Sequence, residues 1–436
     1  MGVDPPHDFN AVVRVRDRIA EAQGHVWSVL LGVGVERGAR ILVSTLNTLP
    51  FAFAGMLIGV MAGVAFSATM ARRWQLLLDR PDPQYDSGNG SGTRRKTHDE
   101  DTPLVGGIVL LAALATAMIV VPFPWGSLWT LPFGLAALGL LGLLDDLYNL
   151  RAQTRLLLQF AIALVVVALG ELQIQSLGNL LGFGPLALGP LAAPVTILSM
   201  MLIINAINML DGIDGLAGSV VLIASVAFGV VAFTEGHKAL GMISLMLVAG
   251  LTGFLFFNLR TPWRRRASVF LGDSGSMMLG FWMAWMAVAL SQLPGSEVAP
   301  VTVALFLIFP AGDAFAVFIR RALRRRNPMH PDRGHTHHLL IRAGCTVSRA
   351  VTALTLLYAL WVGFALLCYF RGCAEWPQFL LATAVFLGYI AFVVNGRHII
   401  RWRHRVRRQR PSGPCRKFGA YGAPPEALEQ GGQVQE

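Results

Sequence analysis

Runs of about twenty apolar residues recur along most of this chain, and nothing else in the sequence narrows the fold so far. A helix of that length spans the ~30 Å of hydrocarbon in a bilayer, and it bonds its own backbone where no water can. The runs lie at about 50–71, 104–122, 127–147, 154–170, 191–210, 213–233, 238–257, 275–292, 299–319, 350–370 and 377–395. They predict an all-α polytopic membrane protein with about eleven transmembrane helices. The 436 residues are 54% hydrophobic and 14% charged, more apolar than a soluble domain of this size requires. Three segments are expected: an N-terminal extension over 1–48, a transmembrane domain over 49–397, and a basic, disordered tail over 398–436. The extension lacks the ordered regions of a cleaved signal peptide.

Basic residues set the expected orientation. If the loop after the first span is cytoplasmic and the rest alternate, the inner loops and the C-terminal tail hold 29 of the 36 Lys and Arg. The outer loops hold Lys238 and Arg371. This bias predicts the N-terminus outside and the C-terminus inside. Arg14, Arg16, Arg18, Arg37 and Arg40 run against it, which leaves either a poorly inserted helix near 26–47 or a translation start assigned too early. The net charge of +11 is mostly this asymmetry, and the tail RHIIRWRHRVRRQR suits anionic lipid better than nucleic acid. Cys345 and Cys415 fall inside, where thiols stay reduced. Cys368 and Cys373 fall near the outer end of the tenth span, where they could pair.

Polar residues collect in five clusters, all on the expected cytoplasmic side: KTHDEDTPLVGGI (96–108), LLDDLYNLRAQTR (143–155), NAINMLDGIDG (205–215), NLRTPWRRRASVFLGDSGS (258–276) and RRALRRRNPMHPDRGHTHHLLIRAG (320–344). Asp145 and Asp146 end a helix whose dipole opposes them, and they repel each other, so a cation or proton must make them tolerable. Asn205, Asn208, Asp211 and Asp214 step by three, which brings them near one face. Four oxygen-bearing side chains fit a magnesium or phosphate-and-nucleotide site better than a Gly-rich turn. GDSGS around Asp273 looks like a serine-protease motif, but five letters are weak without a His/Asp pair and an oxyanion hole. Asp273 reads better as a metal ligand.

The run PDRGHTHH offers Arg333, His335, His337 and His338. Zinc and a plain surface loop are alternatives, but a guanidinium beside imidazoles suits an anion better. Asp313, about two turns inside the ninth span, is expected to be paired or to line a polar cleft. Carboxylates for a divalent cation, a basic loop for phosphates and apolar grooves for a lipid tail fit phosphoryl transfer, where positioning and charge neutralisation dominate.

In their order, KTHDEDTPLVGGI, LLDDLYNL, NAINMLDGIDGLAG, SVFLGDSGS and PDRGHTHHLLIRAG resemble the polyprenyl-phosphate N-acetylhexosamine-1-phosphate transferases, most closely the bacterial branch that uses N-acetylglucosamine. The resemblance covers about 50–395 and implies ten or eleven membrane helices. It implies attack by a polyprenyl phosphate on the β-phosphorus of a UDP-N-acetylhexosamine, with release of UMP. The lipid-linked sugar pyrophosphate so formed would start a cell-envelope polysaccharide. By resemblance, Asp145 and Asp146 engage the polyprenyl phosphate, one of them as general base. Asp273 and Asn208 are Mg²⁺ ligands, with Mn²⁺ as a substitute metal. Asp211 and Asp214 are nucleotide-sugar or metal-site residues, with Asn205 counted among the substrate-binding residues; Arg333, His335, His337 and His338 grip sugar and pyrophosphate; Lys96 and His98 are basic residues nearby.

The partners implied are UDP-N-acetylglucosamine, polyprenyl phosphate and membrane lipid, with no nucleic acid and with a homodimer left open. The location implied is the bacterial plasma membrane, with the site facing the cytoplasm. The peptidoglycan branch, which takes the muramoyl-pentapeptide, carries three consecutive His; His335-Thr336-His337-His338 departs from that. The insertion DSGNGSGTRR (86–95) is longer than the family needs and loosens the placement of Lys96. A secondary transporter, the reading from another class, would place its acids near the midplane of repeated halves, and no internal repeat is visible.

Overall fold

The structure, a computed structural model, describes residues 104–120, 125–325 and 334–409. The first expected span (50–71), the extension, Lys96, His98 and Arg333 lie outside the described residues. Among those described, extended pairing is confined to two isolated bridges, Ser176 with Ala187 and Thr261 with Arg264. The regular elements are helices: α1 Gly106–Val120, α2 Thr130–Tyr148, α3 Ala152–Leu169, α4 Ala192–Leu210, α5 Leu216–Thr234, α6 Lys238–Asn258, α7 Gly272–Gln292, α8 Pro300–Leu323, the short α9 Thr336–Arg342, α10 Val347–Phe370 and α11 Glu375–Gln409. A four-residue helix, Trp125–Leu128, and a 3-10 turn, Gly189–Leu191, join some of these.

Ten of the expected spans coincide with helices, and nine among the described residues are long and apolar enough to cross a membrane. The chain is an all-α polytopic membrane protein. Several boundaries shift by a few residues, and two of the shifts bear on the reading. The sixth span starts at Leu216 rather than 213, because the chain turns over Asp211–Gly215 and Gly215 adopts a φ of +85°, a left-handed conformation that favours glycine. The last helix runs past 395 to Gln409, so the basic segment expected from 398 as tail begins as helix.

α7 is the axis of the bundle. It packs against α1, α2, α4, α5 and α8, and every residue from Ser274 to Leu290 is buried. Lipid gives little hydrophobic drive for helix association, so close backbone approach through small residues must supply the contact. Added β-carbons at Gly107, Gly142 and Gly280 would come within 2.2, 2.4 and 2.6 Å of backbone atoms on neighbouring helices. The first two bring α1 and α2 against the start of α7, and the third lets α7 cross α4 at Ile204. One buried polar group on α7 is paired across the bundle: Trp285 Nε1 donates to Thr130 Oγ1 at 3.1 Å.

α8 begins with Pro300, where a missing N–H costs nothing, and contains Pro310, whose missing N–H strands the carbonyl of Phe306 four residues back. A stranded carbonyl at membrane depth costs several kcal/mol. Tyr358 of α10 answers it, its hydroxyl donating to Phe306 O at 2.6 Å, and Trp361 Nε1 donates to Leu305 O at 2.9 Å. Tyr358→Phe keeps the ring and removes this donor, so it should lower stability by about 1–3 kcal/mol. Thermal unfolding in detergent reads this; an unchanged midpoint would show that the carbonyl finds another donor.

Candidate active site

The site grows from the N-terminus of α7, whose first amides have no partner within the helix. Asp146, on the last turn of α2, fills that need: its Oδ1 accepts the Asp273 N–H at 2.9 Å and its Oδ2 the Ser274 N–H at 3.1 Å. Gly272 permits the approach, since a β-carbon there would lie 2.7 Å from Asp146 Oδ2 and its φ is +74°. Asp145 turns elsewhere. It is 5% exposed, accepts the Leu150 N–H at 2.9 Å, and pairs with Arg155 Nη1 of α3 at 2.7 Å. The repulsion between adjacent carboxylates is thus met by a guanidinium for one and a helix N-terminus for the other.

The acids of the α4–α5 turn are dealt out among different neighbours. Asn208 donates to Asp273 Oδ1 at 2.8 Å and to Ser276 Oγ at 2.9 Å, joining α4 to the start of α7. One turn deeper, Asn205 donates to Gln159 Oε1 of α3 at 2.7 Å. Asp214 is buried and pairs with Arg260 Nε at 2.6 Å. The buried Asn258 clamps the turn to the α6–α7 loop: its Oδ1 accepts the Gly215 N–H and its Nδ2 donates to Val269 O, both at 2.7 Å. Between turn and loop lies a cleft lined by Asp211, Asp214, Asn258 and Gly272.

The histidine loop closes on the same turn. Asp313 of α8 holds the loop's start, accepting the Thr336 N–H at 3.0 Å, facing His335 Nδ1 at 2.6 Å, and accepting from the Tyr389 hydroxyl of α11 at 2.7 Å. These are the partners that sequence alone could not name. Arg320 is buried beneath the loop and donates to Gly334 O at 3.2 Å, and any side chain at 334 would overlap its guanidinium. His335 and His337 stack with ring centroids 5.6 Å apart, and His338 lies 4.3 Å from His337. His337 reaches the DGIDG turn, its Nε2 2.5 Å from where a β-carbon on Gly212 would sit. Both its ring nitrogens are buried, without a hydrogen bond among the described residues. Burial holds its imidazole down to about 3, with His338 and His335 adding to the effect and Asp313 opposing it.

Asp146, Asp273 and Asn208 therefore form one contact chain, with the Asp211–Asp214 turn and His337 beside it. Asn205 is committed to Gln159 and Asp214 to Arg260. Sequence reasoning passed over Arg155, Asn258, Arg260 and Tyr389. The first three stand at the ends of apolar runs inside the quoted clusters, where a lone polar residue was the available signal; Tyr389 gave none.

Among the described residues no group of three or more His, Cys, Asp or Glu is placed to hold a metal by itself. Mg²⁺ does not ask for one. It takes one or two carboxylates, several waters and substrate phosphates, so the touching oxygen-bearing pair of Asp273 and Asn208 fits it.

Asn258→Ala would leave the buried Gly215 N–H and Val269 O without partners and should cost about 1–3 kcal/mol for each, read as a lowered unfolding midpoint in detergent. For His337 the folded pKa lies below the 6.5 of the unfolded chain, so its contribution is whole above pH 6.5 and is lost as pH falls from 6.5 towards 3. The wild-type melting temperature should fall more steeply over that window than that of His337→Leu; parallel profiles would refute the assignment.

The profile of glycosyl transferase family 4 matches residues 128–291, which contain Asp145, Asp146, the α4–α5 turn and Asp273. The chain is 32% identical over 327 residues to an undecaprenyl-phosphate alpha-N-acetylglucosaminyl 1-phosphate transferase of Escherichia coli K12, covering 73% of this chain and 88% of that protein. It is 32% identical to the protein of that name from Yersinia pestis, over 72% and 87% of the two chains, and 30% identical to that of Haemophilus influenzae, over 77% and 92%. With the contact chain of α2, α4 and α7 inside the matched region, the protein belongs to glycosyl transferase family 4, among the glycosyl-1-phosphate transferases.

Proposed function

We propose that this chain transfers N-acetylglucosamine 1-phosphate from UDP-N-acetylglucosamine to a polyprenyl phosphate, releasing UMP and leaving a lipid-linked sugar pyrophosphate. The names of its relatives support that substrate pair. The observation that carries the reading is the junction at the start of α7, where Asp146 and Asn208 meet Asp273 from two other helices. A site at the ends of membrane helices suits one soluble substrate and one lipid-borne one. The bias of 29 of 36 basic residues towards one side supports a cytoplasmic site in a bacterial plasma membrane.

Each group then has a task. Asp145 and Asp146 flank the lipid phosphate, one as general base, and Arg155 at 2.7 Å from Asp145 offers that phosphate a positive charge. Asp273 and Asn208 would hold Mg²⁺, which when bound neutralises charge building on the phosphate oxygens. Asp211 and Asp214 line the cleft that takes the nucleotide sugar, with Asn205 behind them. Kept neutral by burial, His337 can give one hydrogen bond and accept another, while His335, His338 and Arg333 complete the grip on sugar and pyrophosphate. By resemblance, Lys96 and His98 belong to the substrate-binding residues as well. No covalent nucleophile is assigned.

Asp145→Asn, Asp146→Asn and Asp273→Asn should each cut UMP release from UDP-N-acetylglucosamine and undecaprenyl phosphate by at least about 10²-fold, while the protein still inserts. Full activity in all three would reject the site. EDTA should stop turnover and added Mg²⁺ restore it; undiminished turnover in EDTA would remove the metal from the scheme.

A further inference from the structure

The opposite end of the bundle holds a pair of cysteines that the transfer reaction does not use. α10 ends in a glycine-terminated turn: the Cys373 N–H bonds back to Cys368 O at 3.0 Å and the Gly372 N–H to Tyr369 O at 3.1 Å, with Gly372 at a φ of +61°. This is the Schellman pattern, in which the side chains at the two ends of the longer bond touch, normally as an apolar contact. Here both positions are cysteine, and both are free thiols in this structure. Cys368 is buried and Cys373 exposed. A disulfide needs α-carbons roughly 4.4–6.8 Å apart, and the backbone bond between the two residues draws them together.

We infer that Cys368 and Cys373 form an intramolecular disulfide that staples the end of α10 to the turn entering α11. The inference rests on the proposed orientation, which puts this turn on the outer, oxidising side of the membrane. The exposed Cys373 thiolate attacks a disulfide of a thiol oxidoreductase in that compartment, giving a mixed disulfide and one thiol on the oxidant. Cys368 thiolate then attacks the Cys373 sulfur and expels the second thiol. Two protons and two electrons leave the pair, and the oxidant is reduced to a dithiol. The staple would hold a turn that already binds its surroundings: Gln378 Nε2 donates to Cys373 O at 2.8 Å, and Glu375 accepts the Asn179 N–H at 3.1 Å. It would fix the start of the helix that delivers Tyr389 to Asp313.

The test uses the full chain, with its four cysteines, in intact cells quenched with acid, denatured and treated with a mass-tagged maleimide. Two tags are expected without reductant and four after reduction. Four tags before reduction, or linkage only between two copies on a non-reducing gel, would overturn the inference. In Cys368→Ser, a membrane-impermeant maleimide applied to spheroplasts should label Cys373 from outside. Labelling only after permeabilisation would overturn the orientation and the disulfide together; labelling from outside, with four free thiols in the wild type, would overturn the disulfide alone.

Discussion

A helix that starts inside protein must find partners for its first amides, and in this molecule the answer to that demand for α7 shapes everything near it. Where protein packs around a helix start its amides are shielded from solvent, and here a neighbouring helix supplies the acceptors. Asp146 does so by ending α2 against the start of α7. Glycines 107, 142 and 272 clear the space that this meeting requires. Asn208 then reaches Asp273 across the same junction. The bond that completes a helix therefore also gathers the polar groups of a site.

The cost of gathering carboxylates at one end is met locally. Asp145 has Arg155, Asp214 has Arg260, and Asp313 has His335 and Tyr389. Each of these three acids therefore has a polar partner of its own among the described residues. These carboxylates are thus held by guanidinium groups, an imidazole and a hydroxyl already in place, with little left to reorganise. His337 contributes differently. Among the described residues both its ring nitrogens lack a hydrogen bond, at the point where the histidine loop touches the turn between α4 and α5.

Most of the helical frame was legible because one physical scale, the thickness of hydrocarbon, is written into the length of each apolar run. Where the reading slipped, a local conformation decided: Gly215 turns the chain before α5 begins, and α11 keeps its helix through charged residues that a hydropathy argument would end. The five polar clusters were visible as interruptions, and Asp146, Asp273 and Asn208 do meet. The pairings were not visible. Asp146 and Asp273 lie 127 positions apart, and no periodicity links them. Asn205 shows the limit most clearly, since its spacing with Asn208 and Asp211 suggested a common row, yet a single turn of helix points it at Gln159 instead.

Pro310 and Tyr358 have a consequence for motion. A hydroxyl inserted into the gap of a broken helical ladder fixes the register of α8 against α10, because sliding either helix by a turn would strip a carbonyl of its donor at a depth where nothing replaces it. Shear between these two helices is therefore suppressed. Any movement that accompanies turnover has to leave the register of this one helix pair intact.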